Sequence, residues 1–314
     1  MAETRTTSKS VLDAIGNTPL VPLQKVVPPG GAQVLLKLEY FNPTGSYKDR
    51  MALAMITEAE KRGDLRPGMC VVEYTGGSTG SSLAFVCAAK GYRFKVVSSD
   101  AFSIEKLRTM EALGAELTLV PSVGGKITPD LIPRMMDKAR DIAAQEPSYW
   151  TNQLHNTDSI KGYEEIGREL AAQAPELDVF CGAVGTAGML MGVARALREA
   201  GSRARIVALE PKTSAALTGG SVGAHGVEGI AIGKPPPLLD SDFYDEARAV
   251  DEDEARAVAR RLAREEGIFT GISSGLNVAA ALQLAGELGS GHTVATVCVD
   301  TGLKYLAGDL FTTG

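Results

Sequence analysis

The sequence predicts an α/β protein of two domains, each built on a mostly parallel sheet flanked by helices. Short β-branched runs alternate with helical patterns from one end of the chain to the other, which is typical of βαβ units. The chain has 314 residues, about twice the ~150 residues of an average domain. Hydrophobic residues make up 44% and charged residues 22% of it. This is the balance of a folded globular chain and excludes disorder for most of its length.

In the first half, the predicted strands are short runs of apolar and β-branched residues, and the predicted helices repeat apolar residues every three or four positions. This pattern predicts strands at 34–40, 69–75, 94–99 and 115–121 and helices at 51–63, 81–91 and 104–114. In the second half it predicts strands at 177–185, 205–211 and 293–300, with one helix ending at 200 and another near 253–267. The proline-rich stretch 234–240 is expected to be a surface loop.

The charge balance and the N-terminal segment limit the classes of partner. Acidic residues number 38 and basic residues 32, for a net charge of −6, whereas nucleic acid and anionic membranes attract basic surfaces. The first ten residues, MAETRTTSKS, are polar and lack the apolar core of a signal peptide. The longest apolar stretch, 179–194, is shorter than the ~18 residues of a membrane-spanning helix. We therefore expect a cytoplasmic protein without nucleic-acid or membrane partners.

The cysteines and histidines do not form the motifs of a metal centre. The four cysteines contain no C-x-x-C pair, and three of them lie in apolar runs, so they are expected to be buried thiols in a reducing compartment. The three histidines are far apart, and none belongs to an H-E-x-x-H motif. A metal site is therefore not predicted.

Three glycine-rich segments are interpreted as strand-to-helix junctions: TGGSTG (75–80), GTAGM (185–189) and GISSG (271–275). The N-terminus of a helix exposes free N–H groups and the positive end of a dipole, so ligands gather at such junctions. GTAGM is either a phosphate site that includes the Thr186 hydroxyl or a tight packing turn. TGGSTG is either a carboxylate site, with hydroxyls from Thr75, Ser78 and Thr79, or an ordinary N-cap cluster.

GTAGM also allows a dinucleotide-binding alternative, which would make the protein an NAD-dependent oxidoreductase. Gly182, Gly185 and Gly188 follow a predicted strand. Glu210 ends the next strand, at about the distance of ~20 residues expected for a ribose-binding acid. The G-x-G-x-x-G spacing is absent, however, because Val184 occupies the position of the second glycine. The segment therefore does not match the dinucleotide fingerprint.

Lys48 opens a predicted helix, three residues after Gly45. Ser46 and Asp49 match a capping box, so the plain interpretation is a solvent-facing lysine at a helix start. The positive end of the helix dipole nonetheless disfavours an ammonium there and would lower the lysine pKa. A lowered pKa favours the neutral amine that forms a Schiff base. Lys48 is therefore also a candidate for covalent attachment of a carbonyl cofactor.

Six motifs taken together resemble those of a known family. They are IGNTPL (15–20), NPTGSYKDR (42–50), TGGSTG, GTAGM, GISSG and DTGLKYL (300–306). On these motifs the chain is similar, over nearly its whole length, to the cysteine synthase (O-acetylserine sulfhydrylase) and cystathionine β-synthase family of pyridoxal-phosphate enzymes. The resemblance implies the tryptophan-synthase-β-like fold, which is PLP fold type II. We expect a smaller mobile domain at 43–148 and a larger cofactor-binding domain formed by 1–42 and 149–314.

The resemblance also implies roles for individual residues. Lys48 would hold pyridoxal 5'-phosphate as a Schiff base and then remove the Cα proton of the substrate. Ser273 would hydrogen-bond the pyridine nitrogen, and Ser78 would face the cofactor. The cofactor phosphate would bind the segment formed by Gly185, Thr186, Ala187, Gly188 and Met189. The substrate carboxylate would bind Thr75, Gly76, Ser78, Thr79 and Gln153.

The implied reaction is β-replacement by a transferase: an activated L-serine loses its leaving group to give an aminoacrylate, and sulfide adds to give L-cysteine. O-acetyl-L-serine is the expected donor, because no arginine lies at 212–247, where a phosphorylated donor could be clamped. Lys212 and Lys234 leave O-phospho-L-serine open as an alternative donor. The alternatives are elimination by a lyase, as in cysteine desulfhydrase or serine/threonine dehydratase, replacement with another donor or nucleophile, and a catalytically idle homologue. The resemblance implies a homodimer, and the C-terminal tail of a serine acetyltransferase is a candidate partner, as for some relatives.

The chain departs from the family pattern in the substrate loop and in the phosphate loop. The usual substrate loop is Thr-Ser-Gly-Asn-Thr-Gly, so Gly76 lacks a serine hydroxyl, and Ser78 replaces an asparagine that contacts the cofactor's phenolic oxygen. The usual phosphate loop is Gly-Thr-Gly-Gly-Thr, so Met189 replaces a threonine hydroxyl. Cofactor binding is expected to survive both changes. A looser substrate loop could accept a different donor or favour elimination.

Overall fold

A computed structural model describes residues 7–126, 128 and 130–312 of the chain. The first six residues of the polar N-terminal segment and the last two residues of the predicted larger domain lie outside the described residues. The strands are β1 Leu20–Pro22, β2 Gln33–Leu38, β3 Cys70–Tyr74, β4 Arg93–Ser98, β5 Glu116–Leu119, β6 Ser148–Trp150, β7 Val179–Ala183, β8 Arg205–Pro211, β9 Glu246–Val250 and β10 Thr293–Cys298. The α-helices are α1 Lys48–Arg62, α2 Ser78–Lys90, α3 Ile104–Ala112, α4 Leu131–Ala143, α5 Asp158–Gln173, α6 Gly188–Glu199, α7 Glu252–Arg261 and α8 Ile272–Leu288.

The larger sheet has six strands in the order β1-β2-β10-β7-β8-β9. β1 is antiparallel to β2, and the other neighbouring strands are parallel. Successive side chains of a strand point to opposite faces, and β7 shows this clearly. Phe180 packs in the same core as α5 and α6, whereas Val179 and Cys181 pack in the core that contains α7 and α8. Helices therefore cover both faces of this sheet.

The smaller sheet has four parallel strands in the order β5-β4-β3-β6. Val71 of β3 lies in the core shared with α1 and α2, whereas Val72 lies in the core shared with α4. All five residues of β3 are buried, as expected for a central parallel strand. The prediction of two mostly parallel sheets flanked by helices is confirmed.

Several elements are absent from the sequence-based prediction. They are β1, β6 and β9, which have only three to five residues each, and the helices α4 and α5. α5 contains Gly162 and Gly167, and glycine lowers helix propensity. The structure requires both glycines, because a Cβ at Gly162 would overlap the carbonyl of Arg50 in α1, and a Cβ at Gly167 would lie 2.7 Å from Cβ of Ala196 in α6. Close packing against α1 and α6 requires these glycines, and they weaken the helical sequence pattern by which α5 could have been predicted. Residues 234–240 form neither helix nor strand, as predicted.

A buried network of charges fixes the start of α1. Arg50 Nε donates to Glu39 Oε2 at 2.8 Å and its Nη1 to Glu169 Oε1 at 2.7 Å. Lys37 Nζ lies 2.6 Å from Glu169 Oε2 and donates to the carbonyl of Thr18 at 2.6 Å. The network joins β2, α1 and α5 two residues away from Lys48. Removing one partner of such a buried pair typically costs about 3–5 kcal/mol, so the N-terminus of α1 is held firmly in place.

The four cysteines are free and buried, as the sequence predicts. Within the described ranges, no helix is long and apolar enough to cross a membrane. The same residues hold no cluster of three or more His, Cys, Asp or Glu side chains that could bind a metal ion.

Candidate active site

The glycine-rich segments and Lys48 meet at the carboxyl ends of the parallel strands. The Thr75–Gly80 segment follows β3, and the Gly185–Met189 segment follows β7. The loop that ends in Lys48 is tied to the end of β10, because Tyr47 N donates to Val299 O at 3.0 Å and Ser46 forms a bridge with Asp300. Ligands of open α/β sheets bind at this end of the strands, so we place the candidate active site here.

Lys48 is the first residue of α1, and its Nζ lies 5.1 Å from the centroid of the Tyr47 ring. Desolvation lowers the pKa of Lys48 to about 8, while the nearby Asp300 carboxylate acts in the opposite direction. The predicted capping box does not form: Ser46 Oγ accepts from Lys48 N at 3.3 Å and not from Asp49 N, and the Asp49 carboxylate accepts from Thr44 N at 2.7 Å and from Thr44 Oγ1 at 2.6 Å. The N-terminus of α1 therefore carries an amine that is easily deprotonated.

The Thr75–Gly80 segment forms a tight turn before α2. Thr75 Oγ1 accepts from Gly77 N at 3.2 Å, and Thr79 Oγ1 donates to Gln153 Oε1 at 2.8 Å. Ser78, the first residue of α2, donates to Asp300 Oδ2 at 3.1 Å. The first N–H groups of an α-helix have no intrahelical acceptor. This segment therefore offers free N–H groups and hydroxyls beside Gln153, as a carboxylate site requires.

Gly76, which lacks the serine hydroxyl of the usual loop, is covered by an aromatic ring. A Cβ at Gly76 would overlap the ring of Phe102, which occupies the space where a side chain would lie. Gly77 is also covered, because a Cβ there would lie 3.6 Å from Cδ of Lys106. An aromatic ring and a lysine stem therefore pack over the glycines of the segment.

The Gly185–Met189 segment has the geometry of an anion site at the start of α6. A Cβ at Gly185 would overlap the carbonyl of Gly229, so only glycine fits there. Ala187, the N-cap of α6, has a left-handed φ of 67° and provides no side-chain cap. The Met189 side chain is buried, and its Cε would lie 2.6 Å from a Cβ at Gly182. Met189 lacks the hydroxyl of the usual threonine, but the backbone amides at the start of α6 remain available for a phosphate.

The Gly271–Gly275 segment places Ser273 in the first turn of α8. Ser274 Oγ accepts from Val299 N at 2.9 Å, which ties this turn to the end of β10. Asn277 bridges the same helix to β7 and β10, through Ala183 N at 2.8 Å and Val297 O at 2.9 Å. The segment follows a loop and not a strand, so the predicted strand-to-helix junction is wrong here.

Several charged and polar side chains around Ser78 were not singled out from the sequence. Tyr305 OH donates to Asp300 Oδ2 at 2.9 Å, and Lys304 Nζ lies 3.3 Å from Ser78 Oγ. Lys106 Nζ lies 4.4 Å from the centroid of the Tyr305 ring and forms an ion pair with Glu228. Asp300 and Lys304 belong to the DTGLKYL motif directly after β10. Their position after β10 could have identified them as site residues from the sequence alone, because polar residues after a buried parallel strand face the ligand side of the sheet.

Glu210 does not serve the dinucleotide alternative. Its Oε2 accepts from Leu217 N at 2.8 Å, and its Oε1 accepts from Thr218 N at 2.8 Å and from Thr218 Oγ1 at 2.9 Å. The carboxylate is buried and already occupied by its own loop. A ribose-binding acid must instead be open to the cofactor.

The described cleft brings a readily deprotonated lysine together with helix N-termini suited to a phosphate and to a carboxylate. This combination has the features that an enzyme needs to attach a phosphorylated carbonyl cofactor to a lysine and to bind an amino acid beside it. Residues 11–300 match the family of pyridoxal-phosphate dependent enzymes, and the chain belongs to this family. The predicted cofactor, pyridoxal 5'-phosphate, is thereby confirmed.

Individual members of the family are similar to this chain over nearly its whole length. The chain is 40% identical to a cysteine synthase of Staphylococcus aureus (strain N315) over 305 residues, which is 96% of each chain. Its structure is similar to that of an O-ureido-L-serine synthase, with a TM-score of 0.89 and 39% identity over 98% of this chain and 96% of the other. It is also similar to a cysteine synthase of Entamoeba histolytica, with a TM-score of 0.92 and 32% identity over 100% of this chain and 94% of the other.

Proposed function

We propose that this chain is a pyridoxal-phosphate-dependent transferase that replaces the leaving group of O-acetyl-L-serine with sulfide to give L-cysteine. The observation that carries the proposal is that Asp300 links the two groups. It acts on the Lys48 amine, whose pKa is lowered to about 8, and it accepts a hydrogen bond from Ser78 at the N-terminus of α2. The similarity to cysteine synthases over nearly the whole chain supports this choice of reaction.

Each residue has a proposed role. Lys48 attaches the cofactor, and Ser273 hydrogen-bonds its pyridine nitrogen. The phosphate binds at the start of α6 and the phenolic side faces Ser78. The phosphate-binding residues are Gly185, Thr186, Ala187, Gly188 and Met189. The substrate carboxylate binds Thr75, Gly76, Ser78, Thr79 and Gln153, of which Gln153 is held in place by its N–H donating to Glu73 Oε2 at 3.0 Å.

Lys48 also moves the proton at the substrate Cα. The cofactor, when bound, supplies the electron sink that stabilises negative charge at that carbon. A base works best when its pKa lies near the working pH, and a value of about 8 meets this condition. Burial of the surrounding side chains, among them Asp300 and Tyr47, excludes water from the proton transfer.

We also propose the two-domain division expected from the sequence, with 43–148 as the mobile part. The four strands of the smaller sheet support it, although β6 extends the boundary to Trp150. A homodimer, a serine acetyltransferase tail as partner and a cytoplasmic location remain part of the proposal.

Absorbance of the purified holoenzyme tests the reaction. We expect the cofactor band to shift when O-acetyl-L-serine is added and to return when sulfide follows, with formation of L-cysteine. Lys48→Ala should abolish covalent attachment without unfolding the protein. Release of pyruvate without any dependence on sulfide would instead establish elimination. A holoenzyme whose spectrum ignores O-acetyl-L-serine would overturn the choice of donor.

A second candidate nucleophile is favoured by one comparison. The similarity to an O-ureido-L-serine synthase points to β-replacement with an oxygen nucleophile on the same scaffold. Hydroxyurea in place of sulfide tests this alternative, because its oxygen would become the side-chain oxygen of the product. Faster turnover with hydroxyurea than with sulfide would replace sulfide in the proposal.

A further inference from the structure

Lys304 is a buried cation that has no counter-ion of its own within the part of the chain that the structure describes. Its side chain is 8% exposed, and its Nζ contacts a neutral group, Ser78 Oγ, at 3.3 Å. Among the described residues, no carboxylate lies within 4.0 Å of this Nζ. Burial lowers the pKa of Lys304, although Asp300 and Asp49 oppose the shift. A buried charge normally has a partner or hydrogen bonds that satisfy it, so this ammonium is poised for an anion.

Two other charged side chains of the cleft, Lys106 and Asp300, already have partners. Lys106 pairs with Glu228, and Asp300 accepts hydrogen bonds from Ser78 and Tyr305. Asp300 is also the carboxylate that partly opposes the lowering of the Lys48 pKa by burial. Asp300 therefore acts on two ammonium groups, those of Lys48 and Lys304. The Lys304 ammonium adjoins the N-terminus of α2, whose dipole has the same sign.

We propose that Lys304 is a specificity-determining residue that binds the carboxylate of the amino-acid substrate beside Ser78. The inference rests on the proposed function, because it assigns a partner to the substrate of that same site. Ser78 and Thr79 offer the free N–H groups of the first turn, Gln153 lies on the Thr79 side, and Lys304 lies on the Ser78 side. A carboxylate at this turn would be held by hydrogen bonds and by one cation.

The position of Lys304 explains how the substrate loop can work without the serine hydroxyl that is absent at Gly76. Phe102 covers Gly76, so no side chain can replace the hydroxyl from that position. A charge-assisted hydrogen bond is roughly twice as strong as a neutral one. The ammonium from the large-sheet side of the cleft therefore compensates for a missing neutral donor on the small-sheet side.

The test compares two ligands that differ only in the carboxylate, L-alanine and L-alaninamide. Neither has a leaving group, and binding of each to the holoenzyme is followed through the absorbance of the bound cofactor. Lys304→Met removes the charge, and Lys304→Arg keeps it. Lys138→Met on the exposed side of α4 makes the same change of net charge away from the cleft.

We expect Lys304→Met to weaken L-alanine binding about 10- to 100-fold, the range for a hydrogen bond to a charged group. Binding of L-alaninamide should change less than about threefold, and Lys304→Arg should retain most of the preference for the carboxylate. Lys138→Met should leave both affinities unchanged. Equal weakening of both ligands, or no weakening of either, would overturn the proposal.

Folding of the variants is not expected to obscure the result. Replacing a buried charge that lacks a partner with an apolar side chain is often neutral or stabilising. Lys304→Gln keeps a polar contact with Ser78 without the charge and decides the question by the same measurement if the Met variant does not fold. Failure of the wild-type enzyme to make cysteine would overturn the proposed reaction alone, because the alanine comparison requires only the bound cofactor.

Discussion

The ammonium of Lys48 loses hydration in the cleft, and this desolvation lowers its pKa to about 8. Only the neutral amine attacks a carbonyl, and its fraction increases as the pH rises through the pKa. We predict that the rate of pyridoxal 5'-phosphate attachment to the cofactor-free protein rises with pH and reaches a plateau above a midpoint near 8. An unperturbed lysine would give a midpoint at pH ~10.4. Schiff-base absorbance measured at a series of pH values gives this midpoint.

The same experiment on Asp300→Asn tests the cause. The Asp300 carboxylate stabilises the charged form of Lys48, so its removal should move the midpoint below the wild-type value. Asp253→Asn, at an exposed position of α7, serves as the control and should leave the midpoint unchanged. A wild-type midpoint near that of an ordinary lysine, or one that Asp300→Asn leaves in place, would contradict the prediction.

Single residues of the site differ in how far the sequence predicts them. Lys48 is predicted by its position at a helix start and by NPTGSYKDR, although burial and not the helix dipole is the largest cause of its lowered pKa. The contacts of Ser78 with Asp300 and Lys304 are not predicted. These pairs are separated by 222 and 226 residues, and only the fold brings them together.

At the scale of elements, α6 begins with a strained residue. Ala187 adopts a left-handed φ of 67°, which costs an L-residue with a Cβ roughly 1–2 kcal/mol. We predict that Ala187→Gly raises the free energy of unfolding by about 1 kcal/mol, because glycine adopts this conformation without the clash. Denaturant unfolding of the cofactor-free protein measures the change.

Ala200 at the other end of α6 is the matched control, since its φ is −76°. Glycine has no conformational advantage there and should lower the free energy of unfolding by about 0.4–1 kcal/mol. If both variants are destabilised, the conformation of Ala187 is not strained. If only Ala200→Gly is destabilising, Ala187 is strained. Such strain concentrates at functional sites, which agrees with the position of Ala187 in the proposed phosphate-binding turn.

Elements also differ in how well the sequence predicts them. The buried parallel strands β3, β7 and β10 consist mostly of apolar residues and were recognised from that pattern. α5 was not recognised, because its contacts with α1 and α6 require glycine at positions where a helix pattern leads one to expect alanine or leucine. Tertiary packing has overridden local propensity in this helix.

At the scale of the whole molecule, α3 on the smaller sheet contacts the segment Gly302–Tyr305 that follows the larger sheet. Ser103 Oγ donates to Lys304 O at 3.2 Å, and Ala307 N donates to Glu105 Oε1 at 2.7 Å. The ion pair between Lys106 and Glu228 also joins the two sides. We call these three contacts the seam. The alternation of strands and helices predicts both sheets but cannot predict this seam, because its partners lie more than one hundred residues apart.

The seam should control how easily the N-terminus of α3 opens. Lys106 is 2% exposed and Glu228 is 38% exposed, so Glu228→Gln leaves a buried ammonium without its carboxylate. We predict that hydrogen exchange at 104–112 becomes about tenfold faster, since local opening requires less free energy when this pair is lost. Exchange in α4, on the opposite face of the smaller sheet, should not change. Glu116→Gln removes a longer contact, 3.8 Å from Lys95, and should leave exchange in α3 unchanged. Faster exchange throughout the protein would show general destabilisation, and unchanged exchange in α3 would show that the pair does not hold the two sides together.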